Sequence, residues 1–263
     1  MGYPLQHPPM SSSTDQPERL QCPICDGVGL IRVERNGRSA SAPCQCQEAQ
    51  KLAFQVKKAA IPERYQHCSF DTFHAAYAGA NKSLSSALLI LRSFAEQYPI
   101  EKRGVILTGS IGCGKTHLAS SALKFLIEKR GVQGLFCDYR EFLRTIQNSY
   151  NPQVSATEME ILTPVMNAEV LILDDLGAIR PTEWVWDTVS LVLNARYNAV
   201  LTTIITTNYA VLPPGAGSRQ EETLGDRIGE RMRSRLIEMC RVVEMAGADY
   251  RAGIDQRKAD RVK

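Results

Sequence analysis

Eight residues, Gly109-Ser110-Ile111-Gly112-Cys113-Gly114-Lys115-Thr116, fit the pattern G-x-x-x-x-G-K-[ST]. They follow the apolar run Val105-Ile106-Leu107 and open a helical pattern reaching to about Arg130. A strand before and a helix after is the setting in which this pattern has a mechanism. Its glycines let successive backbone N–H groups wrap phosphate oxygens, and the helix N-terminus adds partial positive charge. Lys115 is placed to reach the β- and γ-phosphates, and the Thr116 hydroxyl to ligate Mg²⁺. His117 extends the expected nucleotide-contacting stretch by one residue.

A second apolar run, Val170-Leu171-Ile172-Leu173, ends in Asp174 and Asp175. Asp174 is expected to hold the Mg²⁺ hydration shell from a strand adjacent to that of the phosphate loop. Asp175 stands where a carboxylate polarises the attacking water. Many ATPases carry glutamate there, and the shorter aspartate predicts slow hydrolysis. A third run, Thr203-Ile204-Ile205-Thr206-Thr207, ends in Asn208. Its amide is a candidate to sense the γ-phosphate and orient water, although strands also end in asparagine for turn reasons alone. Residues 225–236 read as one helix, with Arg227, Arg231 and Arg235 on one face. Such an arginine can serve a neighbouring subunit's γ-phosphate. The alternative is a solvated basic face paired with Glu230 and Glu238. Arg251, beyond the last strand, is a candidate second sensor in cis.

Cysteines carry the other candidate chemistry. Cys22-Pro23-Ile24-Cys25 and Cys44-Gln45-Cys46 form two pairs separated by 18 residues. Two thiolate pairs at that separation can close a tetrahedral Zn²⁺ site, as in a zinc ribbon. Free thiols are the alternative. Leu30–Glu34 followed by Asn36-Gly37 suggests a hairpin between the pairs. So short a module has almost no core, so metal would supply its folding energy. It has no aromatic platform between the cysteines on which bases could stack.

The 263 residues suffice for one domain and a small appendage. We divide them into a disordered tail (1–20), the cysteine module (21–47), a helical linker (48–103) and a main domain (104–263). In the linker, Leu84, Ala87, Leu88, Leu91 and Phe94 recur at helical spacing over 82–97. In the main domain, strand candidates at 104–108, 134–138, 170–174, 201–207 and 240–245 alternate with helical stretches. That alternation predicts a doubly wound α/β sheet with parallel strands. No apolar run approaches the roughly 20 residues of a membrane span. The polar start has no apolar core of a leader, so we expect a cytoplasmic protein without membrane contact. A net charge of +3 neither requires nor excludes nucleic acid.

In this order, the pieces resemble the DnaC/DnaI-like replicative helicase loaders and the closely similar IstB transposition ATPases. The resemblance covers about residues 60–255. It rests on Ile61-Pro62-Glu63-Arg64-Tyr65 with Phe70 and Phe73, the phosphate loop, and Leu173-Asp174-Asp175-Leu176-Gly177. It also rests on Ile205-Thr206-Thr207-Asn208, on 227–236, and on Asp249-Tyr250-Arg251. It implies an AAA+ core of five parallel strands without a full C-terminal lid; 18 residues follow Met245. It implies ATP hydrolysis, Arg231 as arginine finger in a self-association, and Arg251 as second sensor. The implied role is to load or remodel the replicative DNA helicase on single-stranded DNA. An IstB-type transposition helper, or an adaptor that binds ATP with little turnover, remains the alternative.

Overall fold

The computed structural model describes residues 22–35, 37–212 and 222–252. The tail expected over 1–20, Asn36 of the expected turn, and residues 253–263 lie outside them. The chain divides into two units between Lys51 and Leu52.

In the smaller unit, β1 (Leu30–Arg35) pairs antiparallel with β2 (Arg38–Pro43), from Leu30 opposite Pro43 to Arg35 opposite Arg38. Buried Cys22, Cys25 and Cys44 form its core, with Ile31 and Cys46 packed against them. Two strands over so few apolar groups are marginal without a further tie. Helix α1 (Gln45–Lys58) starts beside Cys44, and the division between units falls within it.

The larger unit is built on five parallel strands: β3 (Gly104–Gly109), β4 (Gly134–Asp138), β5 (Val170–Asp174), β6 (Thr202–Thr207) and β7 (Cys240–Met245). Each lies within one residue of its expected position. Their spatial order is β4-β5-β6-β3-β7. Helices α2 (Lys82–Gln97) and α3 (Lys115–Arg130) cover one face. The other is covered by α4 (Tyr139–Ser149), α5 (Glu158–Asn167), α6 (Glu183–Asn198), α7 (Leu224–Ile228) and α8 (Glu230–Met239). Strand residues alternate between the two cores. Val105, Leu107, Val170 and Ile172 face α2 and α3, while Ile106, Leu171 and Leu173 face the opposite layer. With both faces buried, these strands read as continuous apolar runs.

Three expectations need correction. First, β5 is not adjacent to β3, because β6 lies between them. Second, the stretch 48–103 does not bridge to the main domain. From Leu52 onward it belongs to the larger unit, and Ile61, Phe70, Phe73, Leu84 and Phe94 are buried in the same core as α3. Third, 225–236 is two helices. Gly229, at φ 88°, ends α7 and starts α8, in backbone space that side-chain-bearing residues rarely enter. Arg227 therefore does not share the face of Arg231 and Arg235, which stay four residues apart on α8. Arg227 is buried, donating Nε to the Gly177 carbonyl at 2.7 Å and meeting Glu222 at 3.1 Å. Its guanidinium lies 4.8 Å from the Tyr209 ring. Arg235 lies over Tyr197, and Arg231 is exposed.

A second buried arginine ties the far layer together. Arg196 is 0% exposed and bonds the carbonyls of Val165, Ala168 and Thr202 at 3.0, 2.8 and 2.7 Å, and the Thr203 hydroxyl at 2.9 Å. It thereby satisfies carbonyls at the end of α5 that have no partner within the helix.

Candidate functional site

The C-terminal ends of β3, β4, β5 and β6 converge on one cavity of about 710 Å³, the edge where open parallel sheets bind ligands. Residues 110–114 form the loop between β3 and α3. Lys115, the first residue of α3, is 8% exposed. Its ammonium donates to the carbonyls of Gly109 at 2.9 Å and Ser110 at 2.7 Å. Among the described residues it forms no ion pair. Burial draws its pKa down, with Asp175 and Asp174 opposing. A buried cation facing a cavity without a counter-charge in contact suits an incoming anion.

Asp174 lies two strands from β3, yet it meets the phosphate loop's helix. Its Oδ1 accepts from Thr116 at 2.8 Å and from Thr206 at 2.6 Å. Burial raises its pKa, and the two hydroxyls work against that rise. The Thr116 hydroxyl and the Asp174 carboxylate together are a hard oxygen donor set of the kind Mg²⁺ takes. Asp175 follows at φ 58°, a region that aspartate tolerates better than most residues. Its N–H donates to the Thr206 hydroxyl at 2.8 Å. Its carboxylate accepts from the Asn208 amide at 3.0 Å and lies 3.4 Å from Arg140 Nε. Asn208 and Asp175, 33 positions apart in the chain, thus touch.

Ile111 to His117, Asp174, Asp175, Asn208 and Arg251 line the cavity. Gly109 and Ser110 stand behind it, holding Lys115 by their carbonyls. The Cys113 thiol points to the Met245 carbonyl at 3.6 Å. His117 is held by Thr72 Oγ1 and the Ser69 carbonyl, both 3.2 Å from Nε2, and meets the Phe73 ring edge-on. Burial lowers its pKa. Arg231 does not line the cavity.

In the smaller unit, the sulfurs of Cys22, Cys25, Cys44 and Cys46 all lie within 4.8 Å of one another. Cys22 and Cys44 are 3.7 Å apart, and Cys25 and Cys46 3.4 Å. A tetrahedral zinc with Zn–S bonds of about 2.3 Å has sulfur–sulfur edges of about 3.8 Å, so the four thiols fit the ion. The Gly29 N–H donates to the Cys25 sulfur at 3.2 Å. Backbone hydrogen bonds at Ile24 and Cys25 bring the Cys22 thiol down to about 7.

A family model described as IstB-like ATP binding protein matches residues 44–259. The chain belongs to that family. The replicative helicase loader DnaC of Buchnera aphidicola is 26% identical over 144 residues, 55% of this chain and 56% of that protein. The phage-like element PBSX protein XkdC of Bacillus subtilis is 26% identical over 247 residues, 88% of this chain and 85% of that protein. A crystal structure of the DnaC helicase loader superposes with a TM-score of 0.60 at 34% identity, covering 70% of this chain and 99% of that one. The parallel sheet, with β6 inserted between the phosphate-loop strand and the Asp174 strand, is the AAA+ ATP-binding core that the sequence resemblance implies.

Several contacts of this site escape a motif search. Thr206 clamps Asp174 and Asp175 together from the intervening strand. Arg140 reaches Asp175 from the first turn of α4. The far cavity wall is made by Arg64, Tyr65, His67, Phe73, His74 and Tyr77. For those up to Phe73 the sequence signal is the Ile61–Phe73 stretch, which carries the family resemblance without revealing a cavity; His74 and Tyr77 lie beyond it. Phe73 also explains a loop glycine, since a Cβ on Gly114 would lie 2.7 Å from its ring.

Proposed function

We propose that this IstB-like protein is an ATPase of DNA replication that loads or remodels the replicative helicase on single-stranded DNA. The observation carrying the nucleotide chemistry is the meeting of Lys115, Thr116, Asp174, Asp175 and Asn208 at one cavity. The helicase role is supported by relatives named as replicative helicase loaders.

In this reading, backbone N–H groups of the loop and the Lys115 ammonium receive the β- and γ-phosphates. Thr116 and Asp174 would hold Mg²⁺, which supplies charge neutralisation to the phosphates. Asp175 accepts the proton of the attacking water, and Asn208 orients that carboxylate and the water. Arg251 contacts the terminal phosphate from the same chain. Exposed Arg231 is offered to the site of a neighbouring copy, so that ATP favours self-association. The four cysteines hold a structural zinc. Such a role belongs in the cytoplasm. A transposition helper is the second reading, favoured by the IstB-like description of the family model.

Two measurements on the full chain test this. The chain should capture a replicative helicase in an ATP-dependent manner, and single-stranded DNA should change its ATP turnover. Lys115→Ala should abolish nucleotide binding. Capture of a transposase and not the helicase would transfer the reading to the second function. Tight ATP binding by Lys115→Ala would remove the basis for the ATPase.

A further inference from the structure

After β7 the chain turns back across the phosphate loop. The Ser110 N–H bonds the Met245 carbonyl at 3.1 Å, and the Tyr250 N–H bonds the Gly112 carbonyl at 3.2 Å. The other side of this segment is tied to residues 77–80. The Ala248 N–H meets the Gly79 carbonyl at 3.0 Å, and the Tyr77 hydroxyl the Ala248 carbonyl at 2.7 Å. Asp249 is thereby pressed on the loop. A Cβ built on Gly112, at φ 77°, would lie 2.0 Å from Asp249 Oδ1 and 2.1 Å from its carboxyl carbon. No side chain could replace Gly112 without moving that carboxylate.

The same carboxylate holds Arg251. Oδ1 accepts from the Arg251 N–H at 3.0 Å and from Nε at 3.1 Å, and Oδ2 lies 3.4 Å from Nη2. A helical turn starts at residue 250, so helix capping accounts for the backbone bond. It does not account for the two guanidinium bonds. Arg251 also lines the cavity, and its charge adds to the depression of the Lys115 pKa. The guanidinium is therefore open to two anions, the Asp249 carboxylate it holds now and a phosphate entering the cavity it lines.

We propose that Asp249 is an internal competitor for Arg251: it occupies the guanidinium while the site is empty and must yield it to the terminal phosphate of ATP. This rests on the reading of the cavity as a nucleotide site with Arg251 on the terminal phosphate. Two consequences follow from the charge arrangement. ATP binding works against the Asp249–Arg251 pair and against a negative charge packed on the loop, whereas ADP, lacking the terminal phosphate, leaves the pair intact. Asp249 thus lowers the preference for ATP over ADP and returns Arg251 to its resting place once the terminal phosphate has left.

The test uses the full chain and fluorescent ATP and ADP analogues, measured by equilibrium titration. Asp249→Asn is the informative variant, because asparagine keeps the cap and the shape beside Gly112 while removing the charge. It should tighten the ATP analogue about three- to fivefold, the factor a partly exposed ion pair supports, and leave the ADP analogue within about 1.5-fold. In the Arg251→Ala background the same change should lose most of its effect, since only the weaker charge repulsion remains. A thermal melt within about 2 °C of the unchanged protein confirms that Asp249→Asn folds; if it does not, Asp249→Ser, which also caps, replaces it. Weaker ATP binding in Asp249→Asn, equal effects on ATP and ADP, or an undiminished effect without Arg251 each overturns the proposal. Failure of the underlying site reading looks different: the unmodified chain would then bind neither analogue, or Lys115→Ala would bind both.

Discussion

Asp174→Asn sets stability against activity. Asp174 is 6% exposed, and burial raises its pKa despite the hydroxyls of Thr116 and Thr206. A carboxyl whose folded pKa is raised contributes stability that is complete below its unfolded value of about 3.9. That contribution is lost as pH rises through the folded value. At neutral pH the charge therefore destabilises the fold. Neutralising it weakens two hydrogen bonds by about 1 kcal/mol each. It also relieves a desolvation cost of several kcal/mol. The net gain is about 1–2 kcal/mol, which for a unit of this size raises Tm by about 2–8 °C. The gain should shrink as pH falls through the carboxylate range. Turnover with Mg-ATP should fall by about a hundredfold or more, because the oxygen donor of the metal site loses its charge. The assay pairs thermal melts between pH 4 and 8 with phosphate release. A lower Tm at neutral pH would refute the argument from burial, and unchanged turnover would refute the assignment of Asp174 to the metal.

Arg231→Ala should leave ATP binding intact and depress turnover, by about tenfold or more for a finger acting in trans. Mixing it with a Lys115→Ala chain should partly restore activity, because each supplies what the other lacks; no restoration counts against a shared site. Metal analysis should find about one zinc per chain, lost when Cys22 and Cys25 become serine, and a folded metal-free module would dismiss the ion. Arg196→Met should destabilise the larger unit by about 3 kcal/mol or more, since several buried carbonyls lose their donor. A denaturant midpoint near that of the unchanged protein would show that water or a neighbour replaces the guanidinium.

The chemistry legible in the sequence was chemistry confined to short segments. The loop 109–116 has its glycines, lysine and threonine within eight consecutive positions, and local backbone geometry is enough to offer the phosphate cradle proposed for them. The five strands could be read because each is a short apolar run between turns. The paired cysteines flank one hairpin in sequence, and its register, with Leu30 opposite Pro43, brings both pairs to its open end. The order of the strands was decided at long range. Nothing in Val170–Asp174 indicates that β6 lies between it and β3, and that insertion makes Thr206 the clamp on Asp174. The arginine series at 227, 231 and 235 keeps its four-residue spacing in sequence, but one left-handed glycine breaks the helix and removes Arg227 from the face that Arg231 and Arg235 share. The Arg140–Asp175 pair and the Asp249 carboxylate against Gly112 join residues 35 and 137 positions apart, and the cavity wall from residues 64–77 is likewise brought in from far along the chain. Spacing encodes what one turn of backbone brings together. Only the packing of both faces of the sheet determines which distant side chains meet at its edge.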